Sequence, residues 1–167
     1  PDAPFLGASA SNSSFFARSI QAFTIGAGVK DGAIERGAEA ILAETRRVEQ
    51  FGFLASELQR AKDNALRANE RMFAERAKTN SAIQVGELVR NFLEDEDIAG
   101  TEAEYNLTRQ LMPGITIGEV NTLAREWISD SNRVALAVSP RKAGVVVPTE
   151  AQVLAAFDRA SKAAVTA

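Results

Sequence analysis

Four consecutive carboxylates, Glu94, Asp95, Glu96 and Asp97, form the densest group of chemically capable side chains in this sequence. Carboxylates hold a hard cation such as calcium or magnesium only when several oxygens converge on one point. Neighbouring acids point in different directions, no helper ligands follow, and the Asp-rich loop with a central glycine is missing. The cluster reads instead as a stop. Acids at a helix C-terminus oppose the macrodipole, which places the end of the preceding helix near Leu93 or Glu94. An absence constrains the chemistry harder: the chain has neither histidine nor cysteine. It therefore lacks an imidazole base, the usual zinc ligand set, a thiol nucleophile and any disulfide. No residue is assigned a catalytic, cofactor-binding or metal-binding role, and the chain is not expected to hydrolyse anything alone.

The 167 residues and formal net charge of -3 fit a single domain over 1–167 with no basic face for nucleic acid or anionic lipid. No apolar run approaches the roughly 20 residues of a membrane helix, so membrane insertion is not expected. No signal peptide is visible. The start at Pro1 rather than methionine is read as a processed product or an excised piece. Without cysteine, the redox compartment stays open.

The elements begin with two strands. Phe23, Ile25, Ala27 and Val29 alternate with Thr24, Gly26 and Gly28, the period of a half-buried strand. Leu6, Ala8 and Ala10 alternate likewise before a bulge or bend at Asn12 to Ser14, and a hairpin is placed near Ala17 to Ser19. The small residues Gly7, Ala8, Gly26 and Gly28 suggest either close packing on this sheet or a flexible edge. From Asp31 to Gln50 the period becomes 3.6, with Ile34, Ala38, Ile41, Leu42, Thr45 and Val48 on one face. Asp31 is the expected N-cap, and Gly52 the left-handed residue past the end. Phe51 and Phe53 would staple that corner into the core.

A second helix runs to about Lys78 with a narrow seam of Leu58, Ala61, Ala65, Ala68, Met72 and Phe73; its mixed charges read as a solvated face. A third, about Ser81 to Leu93, is expected to bury Ile83, Leu88, Val89 and Phe92. Three capping boxes follow, at Thr101 with Glu104, Thr116 with Glu119, and Thr149 with Gln152. They open helices through Tyr105 and Leu111, then Val120, Leu123, Ala124, Trp127 and Ile128, and last Val153, Leu154 and Phe157. After the turn DSN, Val134, Leu136 and Val138 alternate as a strand, and residues 141–148 connect it to the terminal helix. Strands early and helices in a block predict an α+β fold, with helices on one face of a mainly antiparallel sheet. Three strands make that sheet thin, as in an incomplete domain.

At this point the residues resemble a known family. The array GF-x-x-x-EL-x-RAK at Gly52 to Lys62, after a helix ending in Arg46, Arg47 and Val48, resembles the insulinase/pitrilysin family of zinc metallopeptidases. The tail ITIGEVNTLAREWISDSNRVALAVSP resembles that family's capped helix, Asn-Arg turn and apolar strand. The match runs from about Phe5 to Phe157. It implies a processing-peptidase-like two-layer sandwich, specifically the second, non-metal-binding domain of a half-enzyme. Family catalysis needs an inverted His-x-x-Glu-His motif and a distal Glu in the first domain, and none of these can be carried over. One departure stands out. Relatives usually carry Thr at position 54 to cap the helix with Glu57, and here Leu54 has no acceptor. Either the helix starts later, from Ser56 with Gln59, or its capping is weakened.

The resemblance implies a non-catalytic domain of an insulinase-like zinc metalloendopeptidase, forming part of a peptide-enclosing chamber. Zinc would belong to the parent enzyme and no cofactor to this segment. The implied partners are the metal-bearing domain, in the same or a companion chain, and an unfolded peptide. The strand at Phe23 to Val29 is either a candidate edge for adding that peptide as a further strand or an interior strand with a structural role only. A bacterial periplasmic or envelope location follows from the resemblance alone. The alternative is a proteolytically inactive structural or assembly subunit derived from the same family.

Overall fold

The hairpin comes first because its residues cannot do anything else: small and polar side chains alternate with apolar ones and offer no helical stripe. The computed structural model describes residues 2–15, 17–129 and 131–166, and of Ala17 and Arg18 only the backbone. Strand β1 (Gly7–Phe15) pairs antiparallel with β2 (Ala17–Gly28), with Gly7 opposite Gly28 and Ser14 opposite Gln21. The register then slips between Ser14 and Phe15, so that Phe15 faces Ala17. The reversal expected at Ala17 to Ser19 therefore falls inside β2, and Asn12 to Ser14 stay in register. The slip lies at the end of the Asn12 to Ser14 stretch where the sequence placed a bulge or bend. Nothing packs closely on the small residues: a Cβ at Gly7, Gly26 or Gly28 would meet no atom within 4 Å.

Among the described residues six α-helices follow: α1 (Ile34–Phe51), α2 (Ala55–Glu75), α3 (Ser81–Glu94), α4 (Thr101–Leu111), α5 (Ile117–Trp127) and α6 (Glu150–Lys162). The fold is α+β. The chain divides into two compact units, Pro1–Gly52 with Asn121–Ala167, and Phe53–Val120.

In the first unit, α1 lies against β2 and α6 against α1. Gly37 is buried in α1 because an added Cβ would overlap Val29. Asp31 does not cap α1. The Asp-Gly pair makes a turn, with Gly32 at φ 75, and the helix starts behind Ala33. Asp31 pairs instead with Lys142 at 2.9 Å. The Phe23 ring sits 5.6 Å from Trp127. Helix α6 opens on the predicted box: Thr149 Oγ1 accepts from Gln152 N at 3.3 Å, and Gln152 Oε1 accepts from Thr149 N at 2.9 Å. The run 133–139 is not a strand of any sheet in the structure, and Asp130 of the DSN turn lies outside the described residues. Its alternating side chains lack a ladder partner among the described residues, and alternation alone forms no sheet.

In the second unit, Phe73 of α2 stacks on Tyr105 of α4, centroids 4.7 Å apart and planes 6° from parallel. Arg76 and Arg109 cover the outer faces of the two rings. Lys62 donates to the carbonyls of Pro113 at 3.1 Å and Ile115 at 2.6 Å, tying down the exit from α4. Lys62 was read as part of a solvated face, and it bonds instead to the chain beyond α4. The box at Thr101 does not form. Gly100, at φ 76 and ψ 152, is the N-cap, and Thr101 is already helical. The box at Thr116 does form, and Thr116 N–H and hydroxyl hold the Glu119 carboxyl below its usual range. Helix α3 ends at Glu94 as expected, with Asp95 left-handed at φ 55. Its apolar residues are not buried, and Phe92 is 83% exposed, because no other element packs on this stripe among the described residues.

The Phe-Gly-Phe step marks the boundary between the units. Gly52 is buried, but its φ 75 and ψ -172 lie outside the left-handed helical region, in territory open essentially to glycine alone. Its N–H donates to Val48 O at 2.8 Å and its carbonyl accepts from Arg47 at 3.1 Å. Phe51 and Phe53 are 46% and 36% exposed, so neither is a core staple. The next helix does not start late. Leu54 is the N-cap residue of α2 without a side-chain acceptor, and Glu57 accepts from Leu54 N–H at 2.7 Å, leaving half a box.

Two outcomes follow for stability. Leu54→Thr should complete the box and add about 0.5–2 kcal/mol, read as a higher midpoint in chemical denaturation; no gain would show that the missing acceptor costs nothing. Gly52→Ala should cost about 1–3 kcal/mol. A Cβ there would fall 2.6 Å from the Asn121 side chain in a backbone conformation alanine avoids, and an unchanged midpoint would contradict both causes.

Candidate functional site

The acidic run Glu94 to Asp97 is built by the end of α3. With Asp95 left-handed, the chain folds back so that Glu96 reaches Arg90 at 2.8 Å, and Glu96 O accepts from Asn91 at 2.8 Å. The hydrogen bond that Arg90 donates to Glu96 raises the Arg90 pKa further above its ordinary value. One acid of the four is thus committed to an ion pair. Among the described residues no group of three or more acids lies where it could share an ion.

The densest polar constellation is one the sequence reading did not single out. On α1, Glu35 and Glu39 are four residues apart and so share a face. Arg159 of α6 bridges them, with Nε 2.6 Å from Glu39 and Nη2 3.2 Å from Glu35. Gln152 adds a bond to Glu35 at 3.1 Å. Nearby, Asp2 accepts from Arg36 and from Lys30 at 3.2 Å, and these bonds, Arg36 first, hold its pKa below the usual carboxylate value. A solvent-open cleft lies beside Arg36, Glu39, Ala40, Arg159 and Ala160. Its carboxylates are each answered by a guanidinium, and it holds neither a thiol nor an imidazole. Such a site can clamp two helices through charge-assisted bonds. The i,i+4 acidic pair was visible in the sequence; its partner, 120 residues away, was not.

The candidate strand is in place. Residues Phe23 to Gly28 lie in β2, whose one edge bonds β1, and no further strand pairs with it among the described residues. Val29 lies just beyond the strand, against Gly37 of α1.

Zinc, which the resembled family carries, does not fit the residues present. The chain has no histidine or cysteine, and the described carboxylates form no ligand cluster. Titrating the purified chain with zinc by calorimetry should give no stoichiometric binding; one tightly bound equivalent would overturn this assignment.

Neither protein-family models nor curated protein sequences match the chain. Solved structures do. The crystal structure of the periplasmic protease PqqL from Escherichia coli aligns with a TM-score of 0.73 at 20% identity, over 98% of this chain and 18% of that one. The structure of the first half of the same protease aligns with a TM-score of 0.68 at 18% identity, over 98% of this chain and 35% of that one. The chain therefore spans less than a fifth of the length of PqqL, an insulinase-family protease. The family that the Gly52 to Lys62 array resembles and the family of the matching structure are the same, and the chain has the fold of a segment of an insulinase-family protease.

Proposed function

We propose that this chain is a non-catalytic domain of an insulinase-like zinc metalloendopeptidase and forms part of the wall that encloses an unfolded peptide. The observation that carries the reading is a protease-like fold over 98% of a chain that contains no histidine. Zinc, the general base and the bond-breaking step belong, in this reading, to a separate metal-bearing domain of the same or a companion chain. This domain contributes surface and position. The free edge of β2 is the place where an extended peptide adds by backbone hydrogen bonds, which are indifferent to its sequence. The periplasm is the proposed compartment, after PqqL; no described helix is long and apolar enough to cross a membrane.

The test compares the isolated chain with the full-length polypeptide that carries it, using an unfolded, fluorogenic peptide with and without a zinc chelator. The full-length protein should cleave the peptide and lose that activity on chelation, and the isolated chain should cleave nothing. Cleavage by the isolated chain would overturn the reading. A folded, full-length protein without chelator-sensitive cleavage would point to an inactive structural subunit instead.

A further inference from the structure

A formal net charge of -3 is a sum, and on α2 the charges are sorted by direction. At about 100° per residue, Arg60, Arg67 and Arg71 fall within about 40° of one another around the helix axis. Lys78 follows in the 3₁₀ turn Arg76–Lys78 that continues the helix, and all of these cations are exposed. The contacts of α2 fix where the line points. Asn69 accepts from Thr108 and Phe73 stacks on Tyr105, so α4 covers the opposite side of the helix.

Nothing inside the chain answers these cations. Among the described residues no carboxylate forms an ion pair with Arg60, Arg67, Arg71 or Lys78. Arg67 donates to the Asn64 side chain at 2.8 Å. Arg67 and Arg71, four residues apart, place like charges side by side, which costs the helix stability. Acids are at hand on α2 but engaged elsewhere: Glu57 accepts from Leu54 N–H at 2.7 Å and Asp63 from Gln59 at 2.8 Å.

The width of the line decides what fits on it. It is one side chain across, with Asp63 and Glu70 about 60° to one side and Glu57 and Glu75 about 60° to the other. A planar anionic bilayer, or a duplex with one phosphate charge per about 1.7 Å, would press negative charge onto those bordering acids as well. A single nucleic-acid strand needs aromatic faces to stack on, and the one aromatic ring of α2, Phe73, is taken by Tyr105. A single extended peptide meets the line alone. Arg60 to Arg67 is about 10.5 Å along the axis and Arg67 to Arg71 about 6 Å. An extended chain advances about 3.3 Å per residue, so carboxylates three and then two residues apart reach all three guanidiniums.

We propose that this line on α2 binds an unfolded acidic peptide, whose Asp and Glu side chains pair with Arg60, Arg67 and Arg71 while Lys78 extends the track. The proposal rests on the proposed function in taking an unfolded peptide as the ligand, and it names that ligand's class. The line supplies a preference for charge that backbone pairing at a strand edge lacks.

Fluorescence anisotropy tests this with a labelled, unstructured peptide carrying Glu at alternating spacings of three and two residues, and with the same peptide carrying Gln in those places. At low salt the chain should bind the Glu peptide tighter by about 10-fold, and about 0.15 M salt should narrow the gap by screening. Arg67→Gln combined with Arg71→Gln should weaken the Glu peptide by about 2- to 30-fold, the worth of two exposed pairs, without lowering the melting temperature. Arg125→Gln combined with Arg141→Gln removes the same charge from exposed positions outside α2 and should leave binding unchanged. Equal binding of the two peptides would overturn the proposal, and so would an unchanged affinity in the α2 variant. An equal loss in both double variants would defeat it by making overall charge the cause. Binding to phosphatidylglycerol vesicles without binding to the Glu peptide would make a bilayer the occupant and defeat it too. Chelator-sensitive cleavage by the full-length protein, with no preference for the Glu peptide, leaves the proposed function standing and this proposal refuted. A Glu preference in a chain whose full-length protein cleaves nothing does the reverse.

Discussion

The first unit depends on the close approach of α6 to α1, and that approach is set by methyl groups. Ala156 is fully buried and Ala160 nearly so, and Val48 of α1 is the one side chain larger than alanine with comparable burial among the described residues. Alanines let two backbones come near but remove little apolar surface from water, so each contact stabilises by a small amount. Polar bonds then fix what packing leaves loose. Arg159 spans Glu35 and Glu39, and Arg46 reaches the Ala160 carbonyl at 3.4 Å. These are exposed or half-exposed pairs, whose worth in water is modest; they define register more than they supply stability.

The second unit solves the same shortage differently. Its joint is a stack of four side chains, Arg76, Phe73, Tyr105 and Arg109, in which two flat rings meet face to face and each outer face carries a guanidinium. Stacked rings and cations on π faces contribute beyond their buried area. Lys62 adds two charge-assisted bonds to carbonyls left open past α4. Neither unit has a large, fully buried side chain among the described residues.

Chemistry follows the same division. A sequence without histidine or cysteine has no group that titrates near neutral pH by its nature, and the charged clusters at the end of α3 and between α1 and α6 pair acid with base rather than strand either. Glu96 answers Arg90, and Glu35 and Glu39 answer Arg159.

The sequence by itself determined the local facts. The α1 and α2 stripes, the end of α3 at Glu94, and the boxes at Thr116 and Thr149 all depend on residues within four positions of one another, and the structure has them. It also settled, through the missing histidines, that the resembled zinc site could not be here. Where local signals competed, the backbone decided. Glycine 100 displaced Thr101 as a cap, and the Asp-Gly turn took Asp31 away from α1, because a glycine at positive φ redirects the chain before a side chain can cap it. Only the tertiary structure decided which apolar faces are covered. Val134, Leu136 and Val138 carry as clear a pattern as any strand here, and so does the stripe of α3, yet both stay exposed. A pattern states which face seeks burial, but burial itself needs a partner surface, and none covers these faces among the described residues.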